Sequence, residues 1–118
     1  MTKNIEWIKI YDFKRDGMQP QSVNSVRSVD IEGKRICLAY TGENYYALDD
    51  RCPHAGAHFG QGGWCENGDL VCPVHRYRFN LQNGRSIQGE YVNTYPMEVR
   101  EDGVYVGLSK QKRWWWPF

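Results

Sequence analysis

Apolar and polar residues alternate along most of this chain in short stretches that turn-forming residues separate. The alternation has a period of two, as in half-buried β-strands, and no stretch shows a convincing helical period. In the stretch 34–40, Ile36, Leu38 and Tyr40 share one face. The sequence therefore predicts an all-β domain of antiparallel strands. The predicted strands cover residues 5–11, 26–31, 34–40, 45–48, 77–81, 94–100 and 104–108.

Turn signals join these stretches into hairpins. Residues 32–34, 41–44, 83–84 and 101–103 each contain a glycine beside polar residues. Asn67-Gly68 is the signature of a tight hairpin turn, so we expect Trp64-Cys65 to pair with Leu70-Val71. That hairpin leads directly to Cys72.

Composition narrows the class of protein. The chain has 118 residues, the length of one ordinary domain, and 41% of them are hydrophobic. A net charge of +1 and a pI near 7.7 show no bias toward nucleic acid or acidic membranes. No apolar run could cross a bilayer, and residues 1–14 lack a signal-peptide core. We therefore expect a cytoplasmic protein that binds neither nucleic acid nor membrane.

Two short clusters carry the candidate chemistry. They are Cys52-Pro53-His54 and Cys72-Pro73-Val74-His75, and seventeen residues separate them. Together they offer two thiolates and two imidazoles, which suit one zinc ion or one small iron-sulfur cluster. Structural zinc sites usually bring paired cysteines or paired histidines, whereas each cluster here is mixed. The mixture favours a dinuclear centre in which one iron takes both cysteines and the other both histidines.

The segments CPHAGAHFGQGG and ENGDLVCPVHRYRFNLQNGR resemble the Rieske iron-sulfur family, and the soluble Rieske ferredoxins in particular. The resemblance extends over roughly residues 5–108. It implies one Rieske domain over 1–118, an antiparallel β-sandwich or barrel with two cluster-binding loops within about 51–79. It also implies one 2Fe-2S cluster, with Cys52 and Cys72 on one iron and His54 and His75 on the other. A structural zinc-binding interaction module is the alternative from a different class.

The same resemblance implies a function in electron transfer. Soluble Rieske ferredoxins carry single electrons from a flavin-dependent NAD(P)H reductase to a terminal oxygenase, including oxygenases that hydroxylate aromatic compounds. An oxygenase would need a further iron held by two histidines and a carboxylate, and only His58 remains among three histidines. We therefore expect a carrier and not an enzyme. A small subunit of a nitrite-reductase-type complex is the alternative within the family.

Departures from the respiratory Rieske proteins bear on the redox potential. Those proteins have a cysteine bridge between the loops, and a serine and a tyrosine that donate hydrogen bonds to the cluster. The corresponding positions here are Ala57, Val74, Tyr77 and Phe79. Fewer donors stabilise the reduced state less, so we predict a potential toward the low end of the roughly −150 to +300 mV Rieske range.

Several residues near the clusters allow a functional or a structural interpretation. Glycines 56, 60, 62 and 63 could let backbone N–H groups approach sulfur closely, or could mark turns. Arg51, Arg76 and Arg78 could attract an acidic partner, or could be ordinary surface charges. We expect His58 to be a solvated loop histidine, and Cys37 and Cys65 to be packed thiols.

The last nine residues, 110–118, form an aromatic tail with three consecutive tryptophans, Trp114-Trp115-Trp116, followed by Pro117-Phe118. Three roles are open for it: packing on the parent sheet, self-association, or contact with a redox partner.

Overall fold

The computed structural model describes residues 5–53 and 56–109, and the described elements are mostly β-strands. Every strand pairing within these residues is antiparallel, so the predicted all-β class is confirmed. The elements in chain order are β1 (Ile5–Asp12), α1 (Phe13–Asp16), β2 (Ser25–Ile31), β3 (Lys34–Tyr40), β4 (Tyr45–Asp49), β5 (Trp64–Glu66), β6 (Asp69–Val71), β7 (Arg78–Asn80), β8 (Thr94–Tyr95), β9 (Met97–Arg100) and β10 (Gly103–Ser109).

The strands form three sheets. Their orders are β1-β10-β9, β2-β3-β4-β8 and β5-β6-β7. The hairpin predicted at Asn67-Gly68 is present, with Cys65 opposite Leu70 and Trp64 opposite Val71. It supplies the first two strands of the third sheet and ends at Cys72.

Strand β3 is covered on both faces. Ile36 and Leu38 are buried against the β1-β10-β9 sheet, in a core that includes Val104 and Val106. Cys37 and Ala39 point the other way, into the core below the third sheet and its loops. The sequence indicated one buried face; the second is buried because another layer packs on it. The β2-β3-β4-β8 sheet is thus the middle layer of the fold.

One helical turn was not predicted. In α1, the Asp12 carboxylate caps the helix by accepting hydrogen bonds from the N–H groups of Lys14 at 2.9 Å and Arg15 at 3.4 Å. Gly17 ends it with a φ of 88°. Four residues are too few to produce a helical period in the sequence.

The predicted strand 94–100 is two strands. Pro96 separates β8, which pairs with β4, from β9, which pairs with β10. Proline has no N–H for a ladder, but the Pro96 carbonyl still accepts from Gly107 N–H at 2.8 Å. The chain therefore passes from the middle sheet to the first sheet at this residue. No helix in the part described here has the length and apolar character needed to cross a bilayer.

Candidate metal centre

Two loops of the same construction carry the candidate ligands. Each begins with Cys-Pro and is closed by a hydrogen bond from the cysteine N–H to the carbonyl five residues later. These bonds join Cys52 to Ala57 and Cys72 to Tyr77, both at 2.8 Å. The first loop follows β4 and the second connects β6 to β7. The local sequence thus folds each cluster into a compact loop with its cysteine at the base.

Both loops contain residues in the left-handed backbone conformation, with positive φ. Gly56 in the first loop has a φ of 71°, which glycine adopts without penalty. In the second loop, His75 and Arg76 have φ values of 61° and 55°. A residue with a side chain pays about 1 kcal/mol or more for this conformation, and such residues concentrate at functional sites. The second loop therefore holds exposed His75 in a conformation that its surroundings must impose.

The two loop cysteines lie together inside the protein. Cys52 and Cys72 are fully buried in the same core, neither is in a disulfide, and the Cys52 thiol lies close enough to affect the pKa of Cys72. Burial, followed by the neighbouring Cys52 thiol, raises the pKa of Cys72 to about 11. Val74 N–H acts in the opposite direction because it donates to Cys72 Sγ at 3.4 Å. Iron binds thiolates, so metal binding at this pair must release protons.

The four predicted ligands occupy different parts of the site. Cys52 and Cys72 are side by side, His75 is exposed in the second loop, and His54 lies outside the described residues. Among residues 5–53 and 56–109, no three His, Cys, Asp or Glu side chains form a metal-binding group. A buried thiol pair beside an exposed imidazole fits a centre with sulfur ligands inside and nitrogen ligands toward solvent. The assignment of all four ligands stays a prediction.

Comparison with known families decides the class of this site. The sequence profile of the Rieske [2Fe-2S] domain matches residues 11–100, most of the chain. The chain belongs to the Rieske family. A Rieske domain binds one 2Fe-2S cluster, so the family and the cofactor predicted from the sequence are both confirmed.

Curated relatives of this Rieske chain include ferredoxin components of dioxygenase systems. The 3-phenylpropionate/cinnamic acid dioxygenase ferredoxin subunit of Photorhabdus laumondii is 32% identical over 89 residues, which cover 73% of this chain and 84% of that protein. The ferredoxin component of the naphthalene 1,2-dioxygenase system of Pseudomonas aeruginosa is 31% identical over 87 residues, covering 71% and 83% respectively.

Solved structures share the fold. The complex of reduced oxygenase and oxidised ferredoxin in carbazole 1,9a-dioxygenase contains a chain that matches with a TM-score of 0.69 and 26% identity, covering 90% of this chain and 97% of that one. A protein assigned as an NADPH nitrite reductase small subunit matches with a TM-score of 0.68 and 22% identity, over 86% and 97% of the two chains. The second likeness shows the fold alone.

An aromatic layer supports the cysteines of the Rieske site. Phe79 and Phe59 are fully buried, with their rings edge to face and 5.5 Å between centroids. Both belong to the same buried core as Cys52 and Cys72. Phe79 of the third sheet and Phe59 of the turn before β5 thus place apolar rings in the core that holds the thiols, which limits solvent access to the site.

A buried carboxylate that the sequence analysis missed anchors the first loop. Asp50 is 1% exposed, and it accepts hydrogen bonds from Ser28 Oγ at 2.6 Å and from Gly60 N–H at 2.8 Å. Arg35 Nε lies 3.7 Å and His58 Nδ1 3.5 Å from its Oδ2. No sequence signal identified it, because an aspartate between Asp49 and Arg51 looks like a surface charge. Asp50 ties the loop to the middle sheet.

At two of the four glycines near the clusters, Gly60 and Gly63, a side chain would collide with neighbouring atoms. A Cβ on Gly60 would lie 1.9 Å from Ser28 Oγ, and one on Gly63 would lie 2.5 Å from the Phe59 carbonyl oxygen. At these two positions the atoms nearest the added Cβ belong to Ser28 and to the backbone of Phe59 and Val71, and none is a cysteine sulfur. Gly56 and Gly62 instead have positive φ. Glycine is therefore favoured for a different reason in each pair: lack of space at 60 and 63, and positive φ at 56 and 62.

The structure also bears on several other predictions. The His58 side chain is 45% exposed, as expected of a loop histidine, but it also contacts Asp50. Cys37 and Cys65 are packed thiols, and burial raises the pKa of both, that of Cys65 to about 11. Arg78 is a structural charge, because its Nε lies 3.1 Å from Asp69 Oδ2. The aromatic tail, residues 110–118, lies outside the described residues.

Proposed function

We propose that this chain is a Rieske ferredoxin that carries single electrons from a flavin-dependent NAD(P)H reductase to a terminal oxygenase. The proposal rests on sequence similarity: over more than two thirds of its length, the chain is 31–32% identical to ferredoxin components of dioxygenase systems. The bound cluster supplies the one-electron chemistry. The chain supplies the ligands, the buried aromatic residues near them and a surface at which partners approach.

The proposed ligand set is Cys52 and Cys72 for one iron, and His54 and His75 for the other. The adjacent buried thiols support the first pair. The exposure of His75 supports a role for the imidazoles as the route by which electrons leave, because a partner can approach a ligand at the surface. Within the described residues, Val74 N–H is a donor to ligand sulfur, and such donors stabilise the reduced cluster.

A carrier role fits the rest of the chain better than catalysis. The curated relatives are ferredoxin components, and a mononuclear iron site would need histidines that this sequence does not have. We propose a single Rieske domain over 1–118 acting in the cytoplasm. The nitrite-reductase alternative is supported by the fold alone, whereas the dioxygenase assignment is also supported by sequence identity.

The decisive experiment is electron paramagnetic resonance on the dithionite-reduced protein, with iron, sulfide and zinc quantified on the same sample. A rhombic signal with an average g value below that of all-cysteine ferredoxins, from protein holding two irons and two sulfides per chain, is the expected result. One zinc per chain and no signal, from protein prepared without air, would make this chain a structural zinc module.

Substitution of one imidazole tests the ligand set. His54→Cys replaces a neutral ligand with an anionic one, so a surviving cluster should have a lower midpoint potential. His58→Cys is the matched control because it introduces the same thiol nearby at a histidine that is not a proposed ligand. An unchanged potential and spectrum in His54→Cys would remove His54 from the ligand set.

A further inference from the structure

A groove of about 500 Å³ opens between the first sheet and the middle sheet, at the end of β10. Pairing of β9 with β10 stops at Val106, and one further backbone bond runs from Gly107 N–H to the Pro96 carbonyl at 2.8 Å. The chain before Pro96 belongs to the middle sheet, so no strand of the described part pairs with Leu108 or Ser109 on that side. The change of sheet at Pro96 therefore leaves the groove open.

The lining of the groove combines apolar side chains with one charge of each sign. The apolar residues are Ile5, Tyr95, Pro96 and Leu108. Ile5 is 39% exposed, although it begins a strand. Lys34 Nζ lies 6.0 Å from the centre of the Tyr95 ring, and an ammonium group attracts the faces of aromatic rings, that of tryptophan most strongly. Glu32 is exposed and pairs with no cation among residues 5–53 and 56–109. The groove therefore suits an aromatic side chain that has cations beside it.

The aromatic tail has this composition, and the described part of the chain ends in the groove. Ser109, the last residue before the tail, is part of the lining. Residues 110–113 include three cations, whose charge is opposite to that of Glu32, and Trp114 follows them. Trp114 is five residues beyond Ser109, and five residues span at most about 18 Å, enough for the chain to turn back over the groove.

The size of the groove also fits the tail better than the other end of the chain. Pockets of about 300–1,000 Å³ enclose most of a small organic molecule, so a groove of about 500 Å³ has room for an indole ring. Residues 1–4 adjoin Ile5 in the sequence, but Met1 is their one large apolar residue. The tail offers three tryptophans and a phenylalanine.

We propose that this groove is the docking site of the chain's own aromatic tail, which places an indole ring of residues 114–116 against Ile5 and Pro96 and brings the cations of residues 110–113 to Glu32. The proposal does not depend on the carrier function. An aromatic side chain buries about 150–250 Å². Because the tail is joined to the edge of the groove at Ser109, its effective concentration there is high and a modest contact is sufficient.

Trypsin cleavage of the cluster-loaded protein tests the docking, because the tail contains its own cleavage sites. Cleavage tracks the population of the open form when opening and closing are fast. The measured quantity is the rate of cleavage after Lys110, followed by mass spectrometry. We expect Ile5→Asn to raise this rate about fivefold, because it replaces an apolar wall of the groove with a polar one. Cleavage between residues 5 and 109 is measured on the same samples and corrects the rates for opening of the rest of the protein.

Two controls separate docking from a local effect of the substitution. Val99→Asn should leave the rate unchanged, because Val99 is 58% exposed on β9 of the same sheet and does not line the groove. A serine-tail chain, in which all three residues 114–116 are serine, keeps the length and charge of the wild type and should be cleaved about as fast as Ile5→Asn. In the serine-tail chain, Ile5→Asn should have no further effect, because no indole ring is left to occupy the groove.

Three results would overturn the proposal. A serine-tail chain cleaved at the wild-type rate would show that the tryptophans do not protect Lys110. An equal effect of Ile5→Asn in the wild-type and serine-tail chains would mean that this substitution loosens the end of β1 and releases no docked tail. Protection that increases with protein concentration would assign the groove to the tail of a second copy, so the proposed occupant would be wrong.

Discussion

Gly60→Ala tests how the first ligand loop is held on the middle sheet. The new Cβ would lie 1.9 Å from Ser28 Oγ and 2.5 Å from the Ser28 backbone nitrogen. The hydroxyl could rotate away, but the backbone nitrogen belongs to β2 and cannot move without disturbing its pairing with β3. The loop must therefore lift from the sheet, and the hydrogen bonds that Asp50 accepts from Gly60 and Ser28 must lengthen or break.

The cost follows from these contacts. Overpacking in a rigid region costs about 1–3 kcal/mol, and a hydrogen bond to a charged group contributes about 1.5–3 kcal/mol. We expect Gly60→Ala to destabilise the folded protein by about 3–5 kcal/mol, against a total of about 5–15 kcal/mol for a typical domain. The melting temperature should fall by about 10 °C or more.

The assay is thermal unfolding of the cluster-loaded protein, followed by visible absorption and by far-ultraviolet circular dichroism. Absorption should be lost at a lower temperature than the β-sheet signal, because the ligand loop loosens first. Gly33→Ala is the control: Gly33 has a φ of 85° and open space around it, so alanine adds backbone strain of about 1–2 kcal/mol far from the loops.

A double variant shows whether Gly60→Ala destabilises the protein through its contact with Ser28 or through some other change in the loop. Ser28→Gly removes two of the three atoms nearest the new Cβ, so it should weaken the effect of Gly60→Ala by at least about 1 kcal/mol in a double-mutant cycle. Additive effects, or a Gly60→Ala protein that melts within a degree or two of the wild type, would refute the close packing of the loop on β2.

Three further predictions follow from buried or paired groups. Phe79→Tyr places a hydroxyl in the core that contains the two proposed ligand cysteines, so the midpoint potential should rise by about 20–60 mV in a redox titration; no change would mean that the ring does not face the cluster. The hydrogen bond from Lys9 lowers the pKa of Asp12 to about 2, so its stabilising effect is present above about pH 4 and is lost as the pH falls toward 2. Asp12→Asn should flatten that acid dependence in unfolding experiments, and an unchanged slope would contradict the pairing. Burial raises the pKa of the thiols of Cys37 and Cys65, so iodoacetamide at pH 8 should label neither in the folded protein, as judged by mass spectrometry.

The sequence by itself determined the features that depend on residues close together in the chain. The strand period, the Asn67-Gly68 hairpin and the two Cys-Pro loops are local, because turn chemistry and side-chain alternation act over a few residues. The order of cysteine and histidine in the two clusters favoured a dinuclear iron centre, and the resemblance of the surrounding segments to the Rieske family implied the cofactor, which the family match confirms.

Only the tertiary structure decided which polar groups are used inside the protein and which are exposed. Asp50 is buried because Gly60 and Ser28 meet it from distant parts of the chain. The chain changes sheets at Pro96 because the strand before it, β8, pairs with β4 and the strand after it, β9, pairs with β10. These outcomes depend on contacts between layers. The sequence analysis assigned one buried face to β3, whereas Cys37 and Ala39 on its other face are buried under a second layer, in keeping with the unbroken apolar run 36–39.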